Sequence, residues 1–194
     1  HTNFKLKQTK TIQEHIVLSD ASGSILEDIE LQKTQLEHSM GKTPDGSDDW
    51  KIYTSSTLGD SNLGANYLTY AETPVMNLEA GFYDGTQNVS ITSGEPNSSI
   101  YYTLNGLLPS DSSTEYTTDL TLSETKIVKA IIVSENPEIL PSFISFNTYF
   151  IDENHSLPVL STSADELTVL LNGNQSLRPH GTIEYFDTQG NRKD

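Results

Sequence analysis

Two kinds of side chain in this sequence could do chemistry at a surface: clustered aspartates and paired tyrosines. The densest carboxylate cluster is Asp45, Asp48 and Asp49, within Pro44-Asp45-Gly46-Ser47-Asp48-Asp49. A calcium loop places Asp or Asn at every second position and closes on Glu. That spacing is missing here, so Pro-Asp-Gly reads first as turn chemistry, and the three aspartates remain a secondary cation candidate. The histidines, His1, His15, His38, His155 and His180, are scattered without a His-x-x-x-His pair. Such a pattern points to no first-row metal site. The chain has no cysteine, which removes thiolate chemistry, disulfides and cysteine zinc sites together. Gly-x-Ser-x-Gly, the phosphate-binding loop and Gly-x-Gly-x-x-Gly are also absent. The expectation is therefore no catalytic residue and no cofactor.

The aromatics remain. Tyr83, Tyr101, Tyr102 and Tyr116 are candidates to stack on the flat apolar face of a sugar ring. The competing reading makes each a core or corner residue of a β-fold, and Trp50 reads as core.

The elements that must position these tyrosines are strands. Ile100-Tyr101-Tyr102-Thr103-Leu104 is a short β-branched and aromatic run, followed by Asn105-Gly106, which tolerates positive φ, and by Pro109. Val89-Ser90-Ile91-Thr92 alternates apolar and polar. Leu120-Thr121-Leu122, Lys126 to Val133 and Phe143 to Ile151 follow. Adjacent strand residues face opposite sides, so one of Tyr101 and Tyr102 should enter a core while the other faces outward. The fold class predicted is all-β: an immunoglobulin-like antiparallel β-sandwich of about seven strands, with partial β-rich flanking segments. Ile100 to Leu104 should lie in the sheet interior, with Val89, Ile91, Ile127 and Ile131 in the core.

Residues 73–151 resemble the C-terminal accessory domain of chitobiase and β-hexosaminidase. The residues carrying the resemblance are Pro74, Gly81-Phe82-Tyr83, Val89-Ser90-Ile91, Ile100-Tyr101-Tyr102-Thr103, Gly106, Pro109, Tyr116 and Ile127-Val128-Lys129-Ala130. Asn105-Gly106-Leu107 stands where the family usually has Asp-Gly-Ser, which keeps the turn and removes a carboxylate. The resemblance implies an immunoglobulin-like sandwich found in secreted bacterial proteins, sitting beside catalytic domains without chemistry of its own.

The flanks are β-like too. His15 to Leu18 and Ser24 to Leu31 suggest a hairpin around Gly23, and Phe4-Lys5-Leu6-Lys7 alternates before it. Residues 1–65, with His1 to Leu6, Asp20 to Gly23, Pro44-Asp45-Gly46, Trp50 and Gly59 to Asn62, resemble the C-terminal half of a lamin-tail-type domain. Residues 66–72 read as a linker. Residues 152–194, with Leu157-Pro158-Val159 and Glu184-Tyr185-Phe186-Asp187-Thr188-Gln189-Gly190, resemble the start of a CotH kinase-like domain. The chain begins inside a strand-like pattern, which reads as a segment of a longer protein.

The charge balance narrows the partners. With 27 acidic against 11 basic residues and a formal net charge of −16, the surface repels phosphate backbones, and nucleic acid is not an expected partner. No apolar run is long enough to span a bilayer. The function expected is a non-catalytic accessory region of a secreted or surface multidomain bacterial protein, serving as spacer, adhesion module or weak carbohydrate binder. Its expected partners are polysaccharide, neighbouring domains and a second copy through the N-terminal segment. The alternative is the N-terminal part of a CotH-like kinase or another secreted enzyme whose catalytic residues lie outside this chain.

Overall fold

The structure, a computed structural model, describes residues 14–173, 176 and 180–193. The alternating run at Phe4 to Lys7 lies outside the described residues. The chain divides into two compact units, His1–Asn66 and Tyr67–Asp194.

In the first unit, strands His15–Ser19 and Ile25–Glu30 form an antiparallel hairpin. Gly23 takes φ +87° in its turn, a conformation glycine reaches without a side-chain clash. Asp20 organises that turn by accepting from the backbone N–H groups of Ser22 and Ser24 at 2.8 and 2.9 Å. A second hairpin pairs Ser39–Lys42 with Trp50–Tyr53. Tyr53 is buried there and its hydroxyl meets Thr43 Oγ1. Asn62 closes the loop below by donating from Nδ2 to the Lys42 carbonyl at 3.1 Å. Val17, Leu18, Ile25 and Leu26 on the first hairpin are all more than half exposed or on the verge of it, at 50, 56, 65 and 64%. Both faces of that hairpin therefore carry uncovered aliphatic surface.

The second unit holds the sandwich. Residues 73–151 contain ten short strand segments. Their main sheet has five strands in the order Thr114–Glu115, Ser98–Thr103, Lys126–Ser134, Ser145–Ile151, Gly81–Tyr83. Ser98–Thr103 thus lies inside the sheet, with neighbours on both sides. The facing layer is built from Gln87–Val89 paired with Leu120–Leu122, and Ile91–Thr92 paired with Val75–Met76. Between the first two of these segments the ladder breaks at Ser90. Asn77 repairs the break: its backbone N–H donates to the Ser90 carbonyl at 3.1 Å, and its side-chain oxygen accepts from Ser90 N at 2.8 Å. Two pairings run parallel rather than antiparallel, Gly81–Tyr83 with Ser145–Ile151 and Thr69–Tyr70 with Ile139–Leu140. Each joins a strand near the start of the sandwich to one near its end, so the connection between them is the sandwich itself and no tight turn is required.

Between the layers lie Val89, Ile91, Leu120, Leu122, Val128, Ala130, Tyr149 and Ile151. Val89 and Ile91 are where the alternation puts them. Ile131 is buried as expected but Ile127 only partly so, and the residues of their strand that face the layer between the two sheets are Val128 and Ala130, one position away. Because the strand period is two, that single step moves Ile127, Lys129 and Ile131 together to the outer face. The Asn105-Gly106 turn also differs from a tight hairpin. Asn105 bridges in parallel to Ile127, and the chain returns only at Thr114.

Part of the outer face of the five-stranded sheet, around Phe82, Phe150, Thr148 and Lys129, is covered by a third layer. Strands Val159–Ala164, Gly181–Phe186 and Arg192–Lys193 form an antiparallel sheet, with a short helix Leu167–Leu171 in its first connection. Glu184 and Phe186 turn inward, whereas Ile183 and Tyr185 face out. Phe186 meets Phe82 and Phe150 edge-on at 5.7 and 5.4 Å, while Phe82 and Phe150 stack at 4.4 Å. His155 lies edge-on to the same pair. Such aromatic contacts contribute about 0.5–1.5 kcal/mol each beyond the area they bury.

Candidate functional site

Tyr101 and Tyr102 can be placed from the register of Ser98–Thr103 against Lys126–Ser134. Tyr102 pairs across with Ala130, and Tyr101 with Ile131. Ala130 faces the core, so Tyr102 does too, packing against the core cluster with Ile100 and Leu104. Tyr101 occupies the outer face, half-buried, with Glu115 opposite it on the neighbouring strand. Among the described residues no aromatic ring stacks on it.

Tyr116 and Tyr83 are committed to the sandwich. The Tyr116 ring meets Tyr102 edge-on at 6.3 Å. Its hydroxyl accepts from Ile91 N at 3.1 Å and donates to Asp119 Oδ1 at 2.8 Å. That phenol therefore ties the facing layer to the loop before Leu120. Tyr83 packs beside Tyr149 at 6.2 Å and donates to the Glu79 carbonyl at 2.7 Å. Burial raises the pKa of both phenols, with the Glu79 carboxylate adding to the effect at Tyr83. Of the four tyrosines singled out, three pack against the core and Tyr101 alone is directed away from it.

An open groove of about 440 Å³ runs along the end of the sandwich, lined by Tyr102, Leu104, Asn105, Ser112, Thr114 and Lys126 among others. Its chemistry is hydroxyls, one amide and the edge of an aromatic ring. Lys126 is already held by Glu124 at 2.5 Å, so the groove offers little net positive charge. The serines and threonine of the Ser110–Thr114 loop belong to the site and were not singled out by the sequence. Their signal was the polar run itself.

This geometry sits on a recognisable module. Residues 78–139 match the family model of the chitobiase/beta-hexosaminidase C-terminal domain. No curated protein and no solved structure matches the chain. The matched stretch runs from Leu78 to Ile139 and takes in Tyr83, Tyr101, Tyr102 and Tyr116. The domain of that family is a non-catalytic accessory domain of glycosidases, and the match fits an accessory role.

The aspartate cluster spreads its charges over separate partners. Asp49 pairs with Lys51 at 3.2 Å, Asp48 lies 4.0 Å from Lys42, and Asp45 accepts from Asn62 N at 3.3 Å. Among the described residues no group of three or more His, Asp or Glu side chains is arranged to hold a metal ion. Trp50 is half-buried, with the Lys42 ammonium 5.6 Å from its ring centre. No helix among the described residues is long and apolar enough to cross a membrane.

Proposed function

We propose that this chain is a non-catalytic accessory region of a secreted or surface multidomain bacterial protein, and that its sandwich makes weak contact with polysaccharide through Tyr101. The observation that carries this reading is the family match over residues 78–139, falling on a sheet whose strand Ser98–Thr103 sends Tyr101 to the outer face. A flat ring on a half-open sheet face offers stacking area to the apolar side of a sugar. The hydroxyl-lined groove beginning at Tyr102 lies one residue along the same strand. In this reading the lamin-tail-like segment before the sandwich and the CotH-like segment after it are further modules of the same parent protein.

The test is retention on insoluble chitin and cellulose, with calorimetric titration against soluble chito-oligosaccharides. Wild type should be retained, and Tyr101→Ala should weaken binding by up to about tenfold, the equivalent of about 1.4 kcal/mol from one stacked ring. Tyr116→Phe, which keeps its ring in the core, should bind as wild type does. No retention of wild type on any glycan, or equal retention of Tyr101→Ala, leaves a spacer without a ligand as the function.

A further inference from the structure

The layer between the sandwich and the C-terminal sheet contains two buried ionisable groups that lie apart from the tyrosine surface. Lys129 projects from the outer face of Lys126–Ser134 and is fully buried; Glu184 projects inward from Gly181–Phe186 and is 3% exposed. They do not pair directly. Lys129 Nζ donates to the Ser163 carbonyl at 3.4 Å. Glu184 Oε2 accepts from Thr148 Oγ1 at 2.5 Å, and Thr148 Oγ1 also meets Ser161 Oγ at 2.7 Å. Glu184 Oε1 has no hydrogen-bond partner. Arg192 Nη1 lies 3.3 Å from it as an ion pair without hydrogen-bond alignment, and is itself bonded to Asn147 Oδ1 at 3.1 Å.

We propose that Glu184 is a proton-operated latch, holding the C-terminal sheet more tightly on the sandwich when it carries a proton and less tightly when it is ionised. An ionised carboxylate taken out of water needs its lone pairs satisfied, and one that is only partly compensated weakens the structure that buries it. Neutralising it removes that cost. The charged and titratable groups around it are few. Lys129 faces it from the central strand, Arg192 from the last strand, and Asp165 acts on Lys129 from the end of Val159–Ala164. Tyr149, on the sandwich side of Ser145–Ile151, is also within electrostatic reach and carries no charge at neutral pH. Burial raises the Glu184 carboxyl above its ordinary value of 4.5, outweighing Thr148, Arg192 and Lys129, which all lower it. The sign follows. A group whose docked pKa is raised stabilises docking fully below its ordinary value, and that contribution is lost as pH rises through the docked pKa. Mild acid should therefore tighten this layer.

The experiment follows the Glu184 side-chain carboxyl by carbon NMR in the full chain between pH 3.5 and 8. In parallel, amide hydrogen exchange compares Ile183 to Phe186 with Val128 to Ile132, corrected for intrinsic rates. Glu184 should titrate above 4.5. The ratio of protection, outer sheet to central strand, should fall as pH rises through that titration, by up to about tenfold for each unit by which the pKa is raised. Glu184→Gln, which retains an acceptor for Thr148, should make the ratio independent of pH. If that variant does not fold, the two wild-type measurements decide alone. A Glu184 titration at or below 4.5 overturns the proposal, and so does a protection ratio that does not move with pH.

Discussion

Tyr149 shows how much one buried side chain can organise. It is fully buried in the sandwich core, and its hydroxyl donates to the Leu78 carbonyl at 2.8 Å while accepting from Asn147 Nδ2 at 3.1 Å. Leu78 lies two residues beyond Val75–Met76 of the facing layer, so the phenol ties one layer to the other. Tyr149→Phe leaves that carbonyl with the Asn147 amide as its remaining side-chain donor, at 3.0 Å. The loss should be about 0.5–1.5 kcal/mol, the net worth of a single hydrogen bond, read as a lower urea midpoint with unchanged slope. Burial also pushes its pKa from 10.0 up to about 12. A raised folded-state pKa means the neutral phenol favours the fold, so its contribution is complete below pH 10 and lost between about pH 10 and 12. Stability measured across that window should fall more steeply in wild type than in Tyr149→Phe.

At the scale of elements, the connection after Ser98–Thr103 is the sensitive one. Gly106 is buried at φ +77°, and a Cβ there would lie 2.7 Å from Ser163 Cβ on the C-terminal sheet. Gly106→Ala thus meets both a left-handed backbone and a neighbouring strand. It should cost about 1–3 kcal/mol, with exchange protection lost first in Val159–Ala164. Sequence made the strands legible, and the pairing of one inward with one outward tyrosine follows from period two alone. It did not say which faced in, because that depends on register with Ala130 and Ile131, nearly thirty residues away. The same gap misassigned Ile127 and left open on which side of its sheet the buried Ile131 lies. Their strand reads Lys-Ile-Val-Lys-Ala-Ile-Ile-Val, apolar on both faces, since both faces are covered; a strand buried on two sides loses the alternation that marks its core side. Nor does any local pattern announce that Lys129 and Glu184, fifty-five positions apart, share one dry layer. Charged residues in strands normally read as solvent-facing, and here a third sheet covers them. The four tyrosines were found by residue type, but only the register separates Tyr101 from the three that serve packing.

On the scale of the whole second unit, the arrangement is three sheets deep, with an apolar layer between the first two and a mixed aromatic and ionic layer between the second and third. The accessory role proposed above would set this unit between other domains and under tension, and there the parallel pairing of Gly81–Tyr83 with Ser145–Ile151 acquires a mechanical meaning. The chain enters the first of these strands at one end of the ladder and leaves the second at the other. Tension applied between residues 73 and 152 therefore drags the two strands past each other along their length. The slanted, evenly spaced hydrogen bonds of a parallel pair then share the load and must break together, whereas a hairpin pulled from its open end surrenders its bonds one at a time. Single-molecule pulling across these two points should give one abrupt rupture for the sandwich, at higher force than opening the antiparallel His15–Ser19 and Ile25–Glu30 hairpin from residues 14 and 31.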